Sequence, residues 1–328
     1  VRELTEASFD RFIADYRSAL GTQDDGSPVG IAVSGGGDSL ALLRLAVRAF
    51  SGRLAAATVD HGMRPESAQE AQAVADICAT LGVPHAVLSP TVPIAAPGNL
   101  QQKARQARYR ALSDWAVERS LTRILTAHSR DDVAETFLMR AARGAGVSGL
   151  ARMAAETAMP YAAESGVRLV RPLLDWSRAE LRALAESTGW PIADDPSNTN
   201  PKYDRARIRR LLANAPDLPS DRLAQAARNL NEAEAALQWL ADEAWLTRAT
   251  VDGTTIRIDA AELPRETRRR LAARAIRQLR NGEDWPGEGL DGLIDHLDSG
   301  RAATLAGILA RPGPPWRFAP APPRHGQS

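Results

Sequence analysis

Cysteine is nearly absent from this 328-residue chain, Cys78 being the one example. A disulfide framework is therefore excluded, and so is a metal or iron–sulfur centre built on thiolates. Cys78 falls in the apolar phase of a helical pattern, and a reducing compartment suits it. No apolar run approaches the length of a membrane span, so neither insertion nor export is expected and the predicted location is cytoplasmic. An excess of charge is missing as well. With 41 Lys and Arg against 40 Asp and Glu, the formal net charge is +1, and any nucleic-acid contact must come from a local arginine cluster. There is no Gly-Lys-Ser/Thr ending of a Walker A loop and no Gly-x-Gly-x-x-Gly fingerprint, which removes two common nucleotide folds. No internal repeat of useful length is visible.

What the chain does carry is Ser34-Gly35-Gly36-Gly37-Asp38-Ser39, directly behind the apolar run 29–33 and ahead of a helical stretch over 40–50. Successive glycines let the chain turn sharply out of a strand and bring several backbone N–H groups toward one anion. The following helix points its partly positive N-terminus at the same spot. The hydroxyls of Ser34 and Ser39 are suited to phosphate oxygens, and Asp38 to a Mg²⁺ that bridges them. The ordinary reading is a glycine-rich turn with a helix cap, and the strand–turn–helix context favours the phosphate cradle.

Short β-like runs at 29–33, 54–59, 85–88, 123–126 and 167–170 alternate with helical patterns such as 66–81 and 101–119. This alternation predicts an α/β fold, a parallel sheet flanked by helices, with ligands at the carboxyl ends of the strands. The length predicts two domains. A proline-punctuated connection at 213–220 places the boundary, giving 1–215 as the catalytic domain and 216–310 as a second, smaller, mostly helical one. That second part reads as a long helix over 221–248, a short strand over 254–258 and an arginine-rich helix over 262–279. The proline-rich 311–328 is expected to be a flexible tail.

Two further motifs fall at predicted strand ends. In Asp60-His61-Gly62-Met63-Arg64, Asp60 and Met63 are candidates for lining an adenine slot; an ordinary turn is the alternative. In Thr126-Ala127-His128-Ser129-Arg130-Asp131-Asp132-Val133-Ala134-Glu135-Thr136, Asp132 and Glu135 share a helix face and suit a cationic group such as an amine. His128 at the helix start suits a phosphate, while capping and the helix dipole would account for the same residues without a ligand. Lys202, Arg205, Arg207, Arg209 and Arg210 form one basic cluster fit for RNA phosphates. Arg268, Arg269, Arg270, Arg274 and Arg277 form a second, read more readily as a solvated helix face with acids nearby.

These motifs occur in order with Asn99, Ala104-Arg105-Gln106-Ala107-Arg108-Tyr109, Arg143-Gly144, Arg171-Pro172-Leu173-Leu174, Asp194-Asp195-Pro196-Ser197-Asn198 and Arg205-Ala206-Arg207-Ile208-Arg209. Over about 29–210 the chain resembles the tRNA(Ile)-lysidine synthetase family of PP-loop ATP pyrophosphatases. The resemblance implies a ligase that uses ATP to adenylate C2 of the wobble cytidine in the CAU anticodon of an isoleucine tRNA and then couples L-lysine there. It implies that Ser34, Gly35, Gly36, Asp38 and Ser39 bind ATP and Mg²⁺, with Gly37 in the same loop, and that Arg108, Asp132 and Glu135 recognise lysine. An attacking amine must be neutral, so Asp132 or Glu135 is expected to accept its proton, Asp38 being occupied by the metal. Two departures bear on tRNA binding: Ala206 stands where relatives usually have Asn, and the C-terminal part is short, so that an extra docking domain is expected to be absent or reduced. A tRNA 2-thiocytidine enzyme would need cysteine pairs, and an amide-forming ligase a glutaminase segment. A non-catalytic nucleotide- or RNA-binding module is the alternative of another class. A homodimer is left open.

Overall fold

Apolar side chains on both faces of its central strands decide the architecture of the first sheet. The computed structural model describes residues 5–20, 24–62, 66–90, 100–151, 153–193, 204–281, 285 and 287–322. The motif positions Met63, Arg64, Asn99, 194–198 and Lys202 lie outside them. The sheet contains β1 (Val29–Ala32), β2 (Leu54–Val59), β3 (His85–Leu88), β4 (Arg123–Leu125), β5 (Glu156–Ala158) and β6 (Arg168–Val170) in the order β3-β2-β1-β4-β6-β5. All neighbours are parallel except β5, which runs antiparallel to β6.

Successive residues of a strand point to opposite faces. Val29, Ile31, Leu54, Ala56, Leu125 and Val170 enter one core, while Ala57, Ile124 and Leu169 enter the other. Burial on both faces is what an α/β sheet covered by crossover helices requires. The first core is built with α1 (Glu6–Leu20), α2 (Gly37–Ala49), α3 (Ser67–Thr80) and α7 (Arg178–Glu186); the second with α4 (Leu100–Glu118). Gly30 permits the second packing, because a Cβ there would come within 3.0 Å of both Leu121 and Trp115. The remaining helices of this part are α5 (Arg130–Ala141), α6 (Val147–Leu150) and α8 (Asp204–Ala213). The expected α/β sheet is present, with β5 added at its edge.

The chain divides into two compact units, Val1–Leu230 and Asn231–Ser328. The division falls within α9 (Ser220–Arg248), whereas the sequence pattern puts the break at 215/216. Besides the C-terminal part of α9, the second unit holds α10 (Arg265–Leu279), α11 (Leu290–Asp298) and an antiparallel sheet of five strands, where the sequence pattern gives one short strand over 254–258. The five are β7 (Ala249–Asp252), β8 (Thr255–Ile258), β9 (Ala303–Leu305), β10 (Ile308–Arg311) and β11 (Trp316–Pro320), in the order β7-β8-β11-β10-β9. The region expected to be a flexible tail thus supplies β11, paired on both sides. Trp316 and Phe318 point into a core with Ile256, Ile258, Leu271, Ile276 and Ile294. Among the described residues no helix is long and apolar enough to cross a membrane.

Candidate active site

Strand β1 lies between β2 and β4, so the chain leaves its carboxyl end at the point where the sheet order reverses, the usual crevice of an open α/β sheet. There the 34–39 loop turns into α2. Gly35 has φ +83°, a conformation a side chain rarely tolerates, and its carbonyl accepts from the Ala193 N–H at 3.0 Å. Gly36 caps α2 in an extended conformation without a side-chain hydrogen bond, which leaves first-turn N–H groups for an external acceptor. Ser39 braces the loop from inside: its hydroxyl donates to the Gly36 carbonyl at 2.8 Å and accepts from the Ser34 N–H at 3.1 Å. The Ser34 hydroxyl lies 3.3 Å from it.

Asp38 stands in the first turn of α2 with its carboxyl pushed up to about 6, by burial first and then by the negative charge of Asp132. Arg178, whose Nε lies 3.7 Å away, offsets part of this.

Ser129 N-caps α5 in a capping box with Asp132, the Ser129 N–H donating to the Asp132 carboxylate at 2.9 Å. That box aims Asp132, and Glu135 one turn on, at three guanidiniums. Arg178 donates to Asp132 at 3.1 Å and to Glu135 at 2.9 Å; Arg205 donates to them at 2.9 and 2.8 Å. Arg209 donates to Glu135 at 2.9 Å. Glu135 is 1% exposed. Burial works against both charges, yet the arginines hold both carboxyls below the usual range. His128 is pushed down to about 3, chiefly by burial, so its imidazole is neutral; its Nδ1 lies 3.0 Å from the Thr126 hydroxyl.

Arg108 on α4 has its guanidinium carbon 5.3 Å from the centre of the Tyr109 ring. Asp60, past the end of β2, accepts from Ser67 Oγ at 2.6 Å and from the Gly62 N–H at 2.8 Å, and these bonds hold it below the usual carboxylate range. Helix α8 divides the expected RNA-contacting arginines. Arg205 and Arg209 reach Asp132 and Glu135, while Arg207 pairs with Asp204 and Arg210 is exposed. In the second arginine cluster Arg268, Arg269, Arg270 and Arg274 are paired with acids, and Arg270 is 10% exposed, so that face is ion-paired and partly covered.

Arg178 is the site residue that sequence reasoning passed over. Ser177-x-x-Glu180 is a capping box too, and read as a helix start behind the 167–170 run it would have put Arg178 at a strand end.

Residues 3–215 match the PP-loop domain family. A tRNA(Ile)-lysidine synthase of Zymomonas mobilis is 42% identical over 90% of this chain and 89% of its own. One of Novosphingobium aromaticivorans is 42% identical over 95% and 93%, and one of Ruegeria pomeroyi 44% over 86% and 68%. This chain belongs to the tRNA(Ile)-lysidine synthase family. As a PP-loop protein of that family it uses ATP. The fold alone is shared with the U34-tRNA thiolase NcsA of Methanococcus maripaludis, at a TM-score of 0.54 and 18% identity over 70% of this chain and 82% of that one. Ala206 of α8 in this lysidine synthase relative is buried, 7% exposed, between the inward Arg205 and the outward Arg207.

Proposed function

We propose that the protein is a ligase that adenylates the C2 oxygen of the wobble cytidine in a CAU-anticodon isoleucine tRNA, releasing pyrophosphate, and then joins lysine to C2 with loss of AMP. The observation that carries this reading is Arg178. It touches Asp38 of the phosphate loop and both Asp132 and Glu135, so the nucleotide end and the acidic end belong to one charge-coupled site.

The backbone N–H groups at Gly36, Gly37 and Asp38 receive the outer phosphates, where charge develops as pyrophosphate leaves. Asp38 fits a magnesium ion, because its raised proton affinity marks a carboxylate short of positive charge. Among the described residues no group of three or more acids, histidines or cysteines could hold a metal without the nucleotide. Bound there, Mg²⁺ supplies electrostatic stabilisation of the departing pyrophosphate.

Lysine recognition falls to Asp132, Glu135 and Arg108, the last facing its carboxylate. The amine takes the place of Arg205, whose side chain is 40% exposed and whose departure leaves Asp132 and Glu135 still bonded to Arg178. While three guanidiniums are in place both carboxylates are weak bases. Withdrawal of Arg205 raises the proton affinity of Asp132, so amine binding and base strength arrive together. The neutral amine attacks C2, AMP leaves with the C2 oxygen, and the carboxylate holds the proton. Such a protein works in the cytoplasm, where its buried Cys78 stays reduced.

Incubating an isoleucine tRNA transcript with ATP, Mg²⁺ and lysine and weighing its nucleosides tests this. One cytidine is expected to gain a lysine residue, with AMP and pyrophosphate released together. ADP as product, or unchanged nucleosides, would overturn it.

A further inference from the structure

Arg105, Arg108, Arg140 and Arg171, beside this site, have no carboxylate within ion-pair distance among the described residues. Arg105 and Arg108 flank the ring of Tyr109, their guanidinium carbons 4.8 and 5.3 Å from its centre. Arg171, the residue after β6, is 5% exposed; it donates to the Ala154 carbonyl at 2.7 Å, and its Nε is buried without a partner. Arg140, in the last turn of α5, is exposed and donates to the Gly149 carbonyl at 2.9 Å.

The positive charge of Arg105 acts on each of the other three. Burial foremost, and then that charge, push the proton affinities of Arg108 and Arg171 down. The same charge bears on His128. This contrasts with Arg178, Arg205 and Arg209, each of which rests on a carboxylate. Like charges with no counter-ion among the described residues are costly where they are buried, and an incoming anion removes that cost.

We propose that Arg105, together with the exposed Arg140 and the buried Arg171, binds a phosphodiester of the RNA next to the reacting base. The assignment rests on the function proposed above, through elimination. The phosphates of ATP belong to the 34–39 loop, and the one carboxylate of lysine is met by Arg108. The remaining substrate is a polyanion, and a set of arginines that includes an exposed one and a buried one suits a strand that must enter base first. Arginine is the fitting residue type, because its planar fork binds phosphate oxygens in pairs.

The test measures binding of the anticodon stem-loop RNA across a salt series, together with KM for lysine and for ATP, in the full chain. Arg105→Gln is expected to weaken RNA binding roughly tenfold and to reduce the slope of log affinity against log salt by about 0.7, the loss of one single-strand phosphate contact. Both small-molecule KM values stay within about twofold of the parent's in that variant. Arg105→Lys restores the slope. Arg140→Gln, at the surface, gives a smaller loss in the same direction and serves if Arg105→Gln does not fold. Arg119→Gln, on an exposed residue past the end of α4, binds RNA as the parent does. Unchanged RNA affinity and slope in Arg105→Gln and Arg140→Gln overturn the assignment, as does a raised lysine KM with normal RNA binding. A parent that binds the RNA but makes no lysidine sinks the ligase reading while the Arg105 contact is still measured.

Discussion

Asp38 is costly where it stands, and the sign of that cost can be worked out. Its carboxyl titrates at about 6 in the fold against 3.8 when free. Between those values the folded protein holds more protons than the unfolded chain, so this residue's contribution to stability falls as pH rises and is lowest above pH 6. A difference of that size corresponds to about 3 kcal/mol. Asp38→Asn is therefore expected to raise the melting temperature of the ligand-free protein at pH 7.5, to leave it nearly unchanged at pH 4, and to abolish AMP formation. Thermal melts at the two pH values check this, and a variant less stable than the parent at pH 7.5 contradicts it. At this scale the sequence is informative about which residues stand at strand ends, since Asp38, His128, Asp132 and Glu135 all follow apolar runs. It is silent on charge balance. Nothing in the spacing of Arg178 or Arg205 says that they meet Asp132 and Glu135, because those contacts join segments 46 and 73 residues apart.

Helix α8 is fastened to α5 through Glu135. Arg205 and Arg209 are four apart and so share one face of α8; both end on a carboxylate that is 1% exposed. Removing that carboxylate leaves Arg209 without its counter-charge and leaves Arg178 and Arg205 to Asp132. Glu135→Ala is expected to lower the free energy of unfolding by about 3–5 kcal/mol. Arg209→Met is expected to cost much less, since that side chain is 32% exposed. Urea titrations of both variants decide it, and equal losses would contradict the reading. Elements of this part are legible where periodicity is long or the run mostly apolar: 54–59 and 85–88 coincide with β2 and β3. The strand Glu156–Ala158 has three residues and no apolar run. Trp316–Pro320 is a strand because Trp316 and Phe318 face one way and Arg317 the other, a pattern hidden by prolines at 312, 314, 315 and 320 that composition alone reads as a tail.

Across the whole molecule, separate cores rather than a shared one stand behind the two units. Each has its own sheet and its own helices, and segments with separate cores are able to melt separately. The 34–39 loop lies wholly in the first unit, so on the function proposed above ATP with Mg²⁺ is expected to stabilise that one. At a concentration 100-fold above Kd the gain is about 2.7 kcal/mol. Phe318 is fully buried in the second core, where Phe318→Ala is expected to cost about 3–5 kcal/mol. Calorimetry of the full chain is therefore expected to show two transitions, one raised by ATP and indifferent to Phe318→Ala, the other lowered by the substitution and indifferent to ATP. A single transition moved by both would show that the continuous helix α9 couples the cores into one cooperative fold, and the stability of the catalytic unit would then depend on strands far from its loop in sequence.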